Sequence, residues 1–170
     1  MDETNETQAS KLCKACGLCC TGHLFIWAKL RPAELDPAES LGLTVIRSDP
    51  RQRGFNQPCP LWQGECTIYT SKHYPHVCRA YQCKLLKEMS HADISLDAAL
   101  NQIEQTKEMI HELDELLPNA PSDNFRERLV AYIETDGQKD RELFRKAEDL
   151  LHIYEEVFGV NDLVETSDEK

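Results

Sequence analysis

No long apolar run occurs in this 170-residue chain. Its longest apolar-leaning stretch, Leu24 to Leu30, falls far short of the roughly 20 residues that cross a bilayer, so no membrane partner is expected. The first ten residues, MDETNETQAS, are polar and acidic and lack the basic and apolar regions of a secretory signal. A cytoplasmic, reducing setting is therefore expected. Glycine is scarce as well. Gly17, Gly22, Gly42, Gly54, Gly64, Gly137 and Gly159 are scattered without one Gly-x-Gly, which removes the phosphate-cradling turn of dinucleotide folds and its counterpart for S-adenosylmethionine. Positive charge is also short, with 19 Lys and Arg against 30 Asp and Glu and a net charge of −11. An acidic surface repels phosphate backbones, so nucleic acid is not an expected partner.

The charge is divided unevenly along the chain. Residues 1–90 carry 11 basic against 9 acidic side chains, and residues 91–170 carry 8 against 21. The first part is thus +2 and the second −13, and the acidity of the second reads as a solvated surface.

What the chain does have is cysteine, eight residues between Cys13 and Cys83. That share lies below the roughly 8–10% that marks small disulfide scaffolds, and 170 residues can bury a core without cross-links. In a reducing compartment clustered cysteines are more often metal ligands than disulfides. Cys13-x-x-Cys16-x-x-Cys19-Cys20 packs four thiols into eight residues. A tight turn in Cys-x-x-Cys brings two sulfurs to one ion and lets backbone N–H groups donate to the thiolates, and Gly17 would permit that turn. A disulfide between the adjacent Cys19 and Cys20 would be strained. The second group is Cys59, Cys66, Cys78 and Cys83. Pro75 is suited to open a helix that places Cys78 near its start, where the helix dipole favours a thiolate. In an unbroken helix Cys78 and Cys83 would point about 140° apart, so they serve different metal positions or the helix breaks between them. Eight thiols suit two four-cysteine sites or one polynuclear cluster.

Other side chains near the cysteines have supporting roles in this reading. Lys11, Lys14, Arg79 and Lys84 would offset the negative charge of a thiolate cluster. His23, His73 and His76 are within reach as alternative ligands, though eight cysteines leave little need of them. Trp27, Trp62, Tyr69, Tyr74 and Tyr81 are expected to pack as apolar cover over a metal-thiolate core.

Along the chain, residues 1–10 read as a disordered start and residues 11–90 as a cysteine-cluster metal-binding region. Leu24 to Leu30 suits a strand, and Arg31 to Leu41 suits a short helix that Asp36-Pro37 interrupts. Residues 44–58 read as loop and residues 59–83 as turns around one short helix. Residues 91–160 form a helical region. Leu96, Leu100, Ile103, Ile110, Leu113 and Leu117 mark one helix near 95–117, ended by Pro118 and Pro121. Ser122 or Asp123 caps the next, with Phe125, Leu129 and Ile133 as its stripe. Leu143, Ala147, Leu150, Tyr154 and Phe158 mark a third, closing at Gly159, and residues 161–170 form an acidic tail. The expected fold is mainly α: a small irregular cysteine-rich lobe with few or no strands, packed on about three C-terminal helices.

Several of these motifs together resemble a known family. Cys13-x-x-Cys16-x-x-Cys19-Cys20, Phe55-Asn56-Gln57-Pro58-Cys59, Cys66-Thr67-Ile68-Tyr69 and Pro75-x-x-Cys78-Arg79-x-Tyr81-x-Cys83 resemble the bacterial CxxCxxCC cysteine-cluster proteins, described as zinc- or iron-chelating. The resemblance covers about residues 11–90. It implies metal binding by Cys13, Cys16, Cys19, Cys20, Cys59, Cys66, Cys78 and Cys83, with zinc, iron or an iron-sulfur cluster as the cofactor. One departure is Tyr74, which stands where the family often has Arg. The same domain occurs in flagellin lysine methylases, so a metal-dependent enzyme of that type is the alternative, and a structural metal fold for protein interaction is another. The scattered glycines disfavour the methylase. Where a radical enzyme would follow Cys16-x3-Cys20 with a third cysteine, this chain has His23. A binding role is preferred to an enzymatic one.

Overall fold

The computed structural model describes residues 6–119, 122, 124–135 and 139–160. Among these, seven helices and three short strands occur in the order α1 (Gln8–Cys16), β1 (Trp27–Lys29), α2 (Leu35–Ser40), β2 (Val45–Ile46), β3 (Gly54–Asn56), α3 (His76–Ala80), α4 (Lys84–Ser90), α5 (Leu96–Leu116), α6 (Phe125–Thr135) and α7 (Arg141–Glu156). A 3-10 turn at Pro32–Glu34 precedes α2. The fold is mainly α, with few strands. No helix among the described residues is long and apolar enough to cross a membrane.

The chain divides into two compact units. One comprises the described residues of Cys13–Tyr81 and Ala120–Glu127, and the other those of Met1–Leu12, Gln82–Asn119 and Arg128–Lys170.

In the helical unit, α5 packs against α7 and α4 against α5. The buried face of α5 is Ala99, Ile103, Thr106, Ile110 and Leu113, and that of α7 is Leu143, Ala147, Leu150 and Tyr154. Both follow the three-and-four spacing of an amphipathic helix. Ser95 caps α5 by accepting from the Ala98 N–H at 3.1 Å, and Asp140 caps α7 through the N–H groups of Glu142 and Leu143, both at 3.0 Å. Thr106 is almost fully buried in this apolar face because its hydroxyl donates back to the Gln102 carbonyl at 2.8 Å.

In the other unit, a three-stranded antiparallel sheet has the order β1-β3-β2, with Ala28 opposite Phe55 and Phe55 opposite Val45. Leu30, Leu35, Ala38, Leu43 and Phe55 form its apolar core, and Cys59 and Cys78 pack against it together with Ala28, Val45 and Leu61. Gly54 is fixed here by space. A Cβ at that position would lie 2.0 Å from the Ala28 carbonyl oxygen, so only glycine lets β1 and β3 approach.

Four local expectations are corrected. The N-terminal segment is already helical from Gln8, because Gln8 to Cys16 contains neither Pro nor Gly and Lys, Leu and Ala favour a helix. Residues 44–58 contain β2 and β3, whose two and three residues are too short to display an alternating pattern. Pro37 does not interrupt α2, since it falls in the first turn, where its missing N–H is not needed. The cap of α6 is Asn124, whose Oδ1 accepts from the Glu127 N–H at 3.0 Å; Ser122 instead bonds the Asn124 N–H, and Asp123 lies outside the described residues. The expected acidic tail at 161–170 lies outside them as well.

Candidate metal centre

None of the eight cysteines is in a disulfide. Cys13 is exposed and the other seven are partly buried. Cys13 and Cys16 belong to the last turn of α1, where a spacing of three residues puts both on one helix face. This replaces the loop turn expected for Cys-x-x-Cys. Gly17 then ends the helix in the left-handed region at φ 64°, and its N–H bonds the Cys13 carbonyl at 3.2 Å. The Trp62 ring lies directly against Gly17, since a Cβ there would stand 2.2 Å from Cζ2 of the indole.

The second cysteine group is tied to the first through the backbone. The Cys59 N–H donates to the Cys20 carbonyl at 2.7 Å, and Trp62 forms an antiparallel bridge with Cys66. Asn124 holds the approach to Cys59, with its Nδ2 donating to the carbonyls of Phe25 and Gln57, both at 3.1 Å. The Trp62 N–H donates to the Cys59 carbonyl at 3.2 Å, closing a turn that keeps the Leu61 and Trp62 backbone beside the Cys59 thiol.

Cys78 lies in α3. Glu34 receives the first N–H of that helix, from His76, at 2.7 Å, and the Arg31 N–H at 2.8 Å. The helix ends at Ala80, and Cys83 opens α4 as its N-cap, accepting from the Leu86 N–H at 3.4 Å. The break between Cys78 and Cys83 follows the geometric limit on residues five apart. Cys83 belongs to the helical unit and the other seven cysteines to the sheet-bearing unit.

Burial against the apolar core is the largest influence on these thiols, and it disfavours the charged form. Cys20 is pushed up to about 12 by burial and by the neighbouring charges of Cys59, Cys66, Cys16 and Cys13. Cys78 is pushed up to about 12 by burial, then by Cys20, Cys59, Cys66 and Glu34. Burial raises Cys59 too, with Cys66 adding to it and the Leu61 and Trp62 N–H groups opposing. Cys83 is raised by burial against the pull of the Leu86 and Leu85 N–H groups. Cys20, Cys59 and Cys78 thus each feel the charge of Cys66 in addition to their burial. Among the described residues, no three Cys, His, Asp or Glu side chains already converge in metal-holding geometry. The donor chemistry nevertheless fits zinc or iron. Partly buried thiols grouped in one unit are soft ligands, and a cation would favour their deprotonated form.

The stretch from Leu12 in α1 to Asp114 near the end of α5 carries a further mark. The model of the CxxCxxCC family, "Putative zinc- or iron-chelating domain", matches residues 12–114. The chain belongs to this family. No curated protein and no solved structure matches it. The CxxCxxCC match thus reaches beyond the cysteines into α5, although the motifs end at Cys83.

The remaining candidates take varied places. His23 shares a 2.6 Å hydrogen bond with the Thr21 hydroxyl through Nδ1 and stacks at 5.1 Å on Phe125. His73 and His76 are exposed. Lys14 lies 5.1 Å from the Tyr69 ring centre and Arg79 lies 5.7 Å from that of Tyr74, so both are held by aromatic faces. Lys84 instead donates to the Glu156 carbonyl at 2.7 Å at the end of α7. Tyr81 packs edge-on against Phe25 at 5.2 Å, and the Trp27 indole N–H donates to the Gln52 carbonyl at 2.9 Å. Glu34 and Asn124 escape sequence reasoning, because their partners lie 42 and up to 99 residues away and nothing local signals the contact.

Proposed function

We propose that this protein chelates zinc or iron through cysteine thiolates, with Cys20, Cys59, Cys66 and Cys78 as the inner donors. Cys13, Cys16 and Cys19 are the other donors of the sheet-bearing unit, and Cys83 is a candidate ligand of the helical unit. The observation that carries this reading is the gathering of seven thiols in one unit, with the Cys59 N–H on the Cys20 carbonyl, Cys66 bridged to Trp62, and Cys59 and Cys78 packed on one apolar core. Burial keeps these thiols protonated in the empty protein, and a bound cation supplies the charge that lets them bind as thiolates. Seven thiols in a single unit exceed the four of one tetrahedral ion, which supports two metal positions or an iron-sulfur cluster. Cytoplasmic residence fits a reduced thiol set.

Purification without oxygen, metal analysis per chain and a visible spectrum test the reading together. Colourless protein with stoichiometric zinc identifies zinc, and a coloured chain with iron identifies a cluster. Cys20→Ser and Cys78→Ser are expected to abolish most of the bound metal. Full metal content in both variants would overturn the assignment of the inner donors.

A further inference from the structure

Lys14, Tyr69, Tyr74 and Arg79 form one unbroken series of contacts. The Lys14 ammonium lies 5.1 Å from the Tyr69 ring centre, and the Tyr69 and Tyr74 rings stand 5.5 Å apart at 50°. The Arg79 guanidinium then lies 5.7 Å from the Tyr74 ring centre. Every member sits on a segment that carries thiols. Lys14 is between Cys13 and Cys16 on α1, Tyr69 follows Cys66, Tyr74 precedes Cys78, and Arg79 is next to Cys78. The Tyr74 hydroxyl donates to the Cys78 carbonyl at 3.3 Å, which fixes one end of the series to α3.

A pair of cations serving only as counter-charges would need no rings between them. Here each cation is seated on a ring, the two rings seat on each other, and the three thiol-bearing segments are linked side to side. We propose that this ladder is a latch on the thiolate site: it ties the segments of Cys13 and Cys16, Cys66 and Cys78 together and sets how fast bound metal leaves. The proposal rests on the chelating function above. Metal leaves a multi-thiolate site when one ligand-bearing segment swings away and an incoming ligand takes its place. The ladder opposes that swing without itself touching metal, so Lys14, Tyr69, Tyr74 and Arg79 are positioning residues. Tyr69, 38% exposed, is the rung open to solvent.

The test loads the full-length protein with Zn2+ and follows its transfer to an excess of a chromogenic chelator. Removing a single cation, by Lys14→Met or Arg79→Met, is expected to speed release about two- to fivefold, the worth of one such contact at a partly exposed site. Tyr69→Ala breaks two adjacent contacts and is expected to exceed either. Tyr69→Phe keeps the ring and Lys14→Arg keeps a cation over it, so both should release as the unaltered protein does. Unchanged release in a fully loaded Lys14→Met protein would overturn the latch. So would release from Lys14→Arg as fast as from Lys14→Met. An unaltered protein that takes up no Zn2+ and holds no iron would instead remove the chelating function, and the latch with it.

Discussion

Gly17 meets two demands at a single position. Its φ of 64° is strained for a side-chain-bearing residue, and the Trp62 ring occupies the space of a Cβ. Gly17→Ala should therefore destabilise the protein by about 2–4 kcal/mol, combining backbone strain with overpacking. Chemical denaturation of the metal-free protein would measure it. Adding Trp62→Ala should recover the part due to the clash and leave the part due to φ, a coupling that a double-mutant comparison isolates. The need for a turn after Cys16 is legible in the sequence from the glycine itself. The identity of the ring that fills the space is not, because nothing in the local pattern of Trp62 points toward residue 17.

Among the elements, α6 shows most clearly how one residue couples a helix start to the cysteine-bearing sheet. Asn124 caps the helix through Oδ1 while Nδ2 bonds the Phe25 and Gln57 carbonyls. Asn124→Ala loses a cap and leaves two carbonyls short of a donor, a cost of about 2–4 kcal/mol. Asn124→Asp keeps the cap but removes both Nδ2 donors, so it should fall between Ala and the unaltered protein in thermal melts. The long helices α5 and α7 were legible because 21 and 16 residues sample several turns of the apolar period. The strands β2 and β3 were not, since the pairs Val45–Phe55 and Ile46–Gly54 are made by chain closure rather than by any local alternation. The 3-10 turn and α2 fall between these cases: a helix was legible there, but the position of Pro37 within its first turn was not.

At the scale of the whole molecule, proton linkage gives stability and metal binding opposite responses to pH. Cys20 and Cys78 are pushed up to about 12, so the folded, metal-free chain holds protons that the unfolded chain has released near the ordinary thiol value of about 8.5. Their contribution to stability is complete below about pH 8.5 and is lost as pH rises toward about 12. Metal uptake has the other slope, because each ligand must shed its proton, and affinity should climb steeply from about pH 6 to about pH 9. Melts of metal-free protein between about pH 8 and 11, and zinc competition over the lower range, check the two signs. A metal-free chain that gains stability above about pH 9 would contradict the burial of these thiols. That the thiols form two groups along the chain, Cys13 to Cys20 and Cys59 to Cys83, is legible from spacing. Their division between the two units is not: Cys83 groups with the helices because the chain leaves the sheet-bearing unit at Tyr81, a boundary that no change in composition marks.

Trp62 touches Gly17 with its ring, donates its backbone N–H to the Cys59 carbonyl and pairs with Cys66 along the chain. Its fluorescence is thus an indicator built into the protein. Thiolates quench indole emission and a coloured centre absorbs it, so a Trp27→Phe variant, left with a single emitter, would report loading and unloading of the site without any added dye.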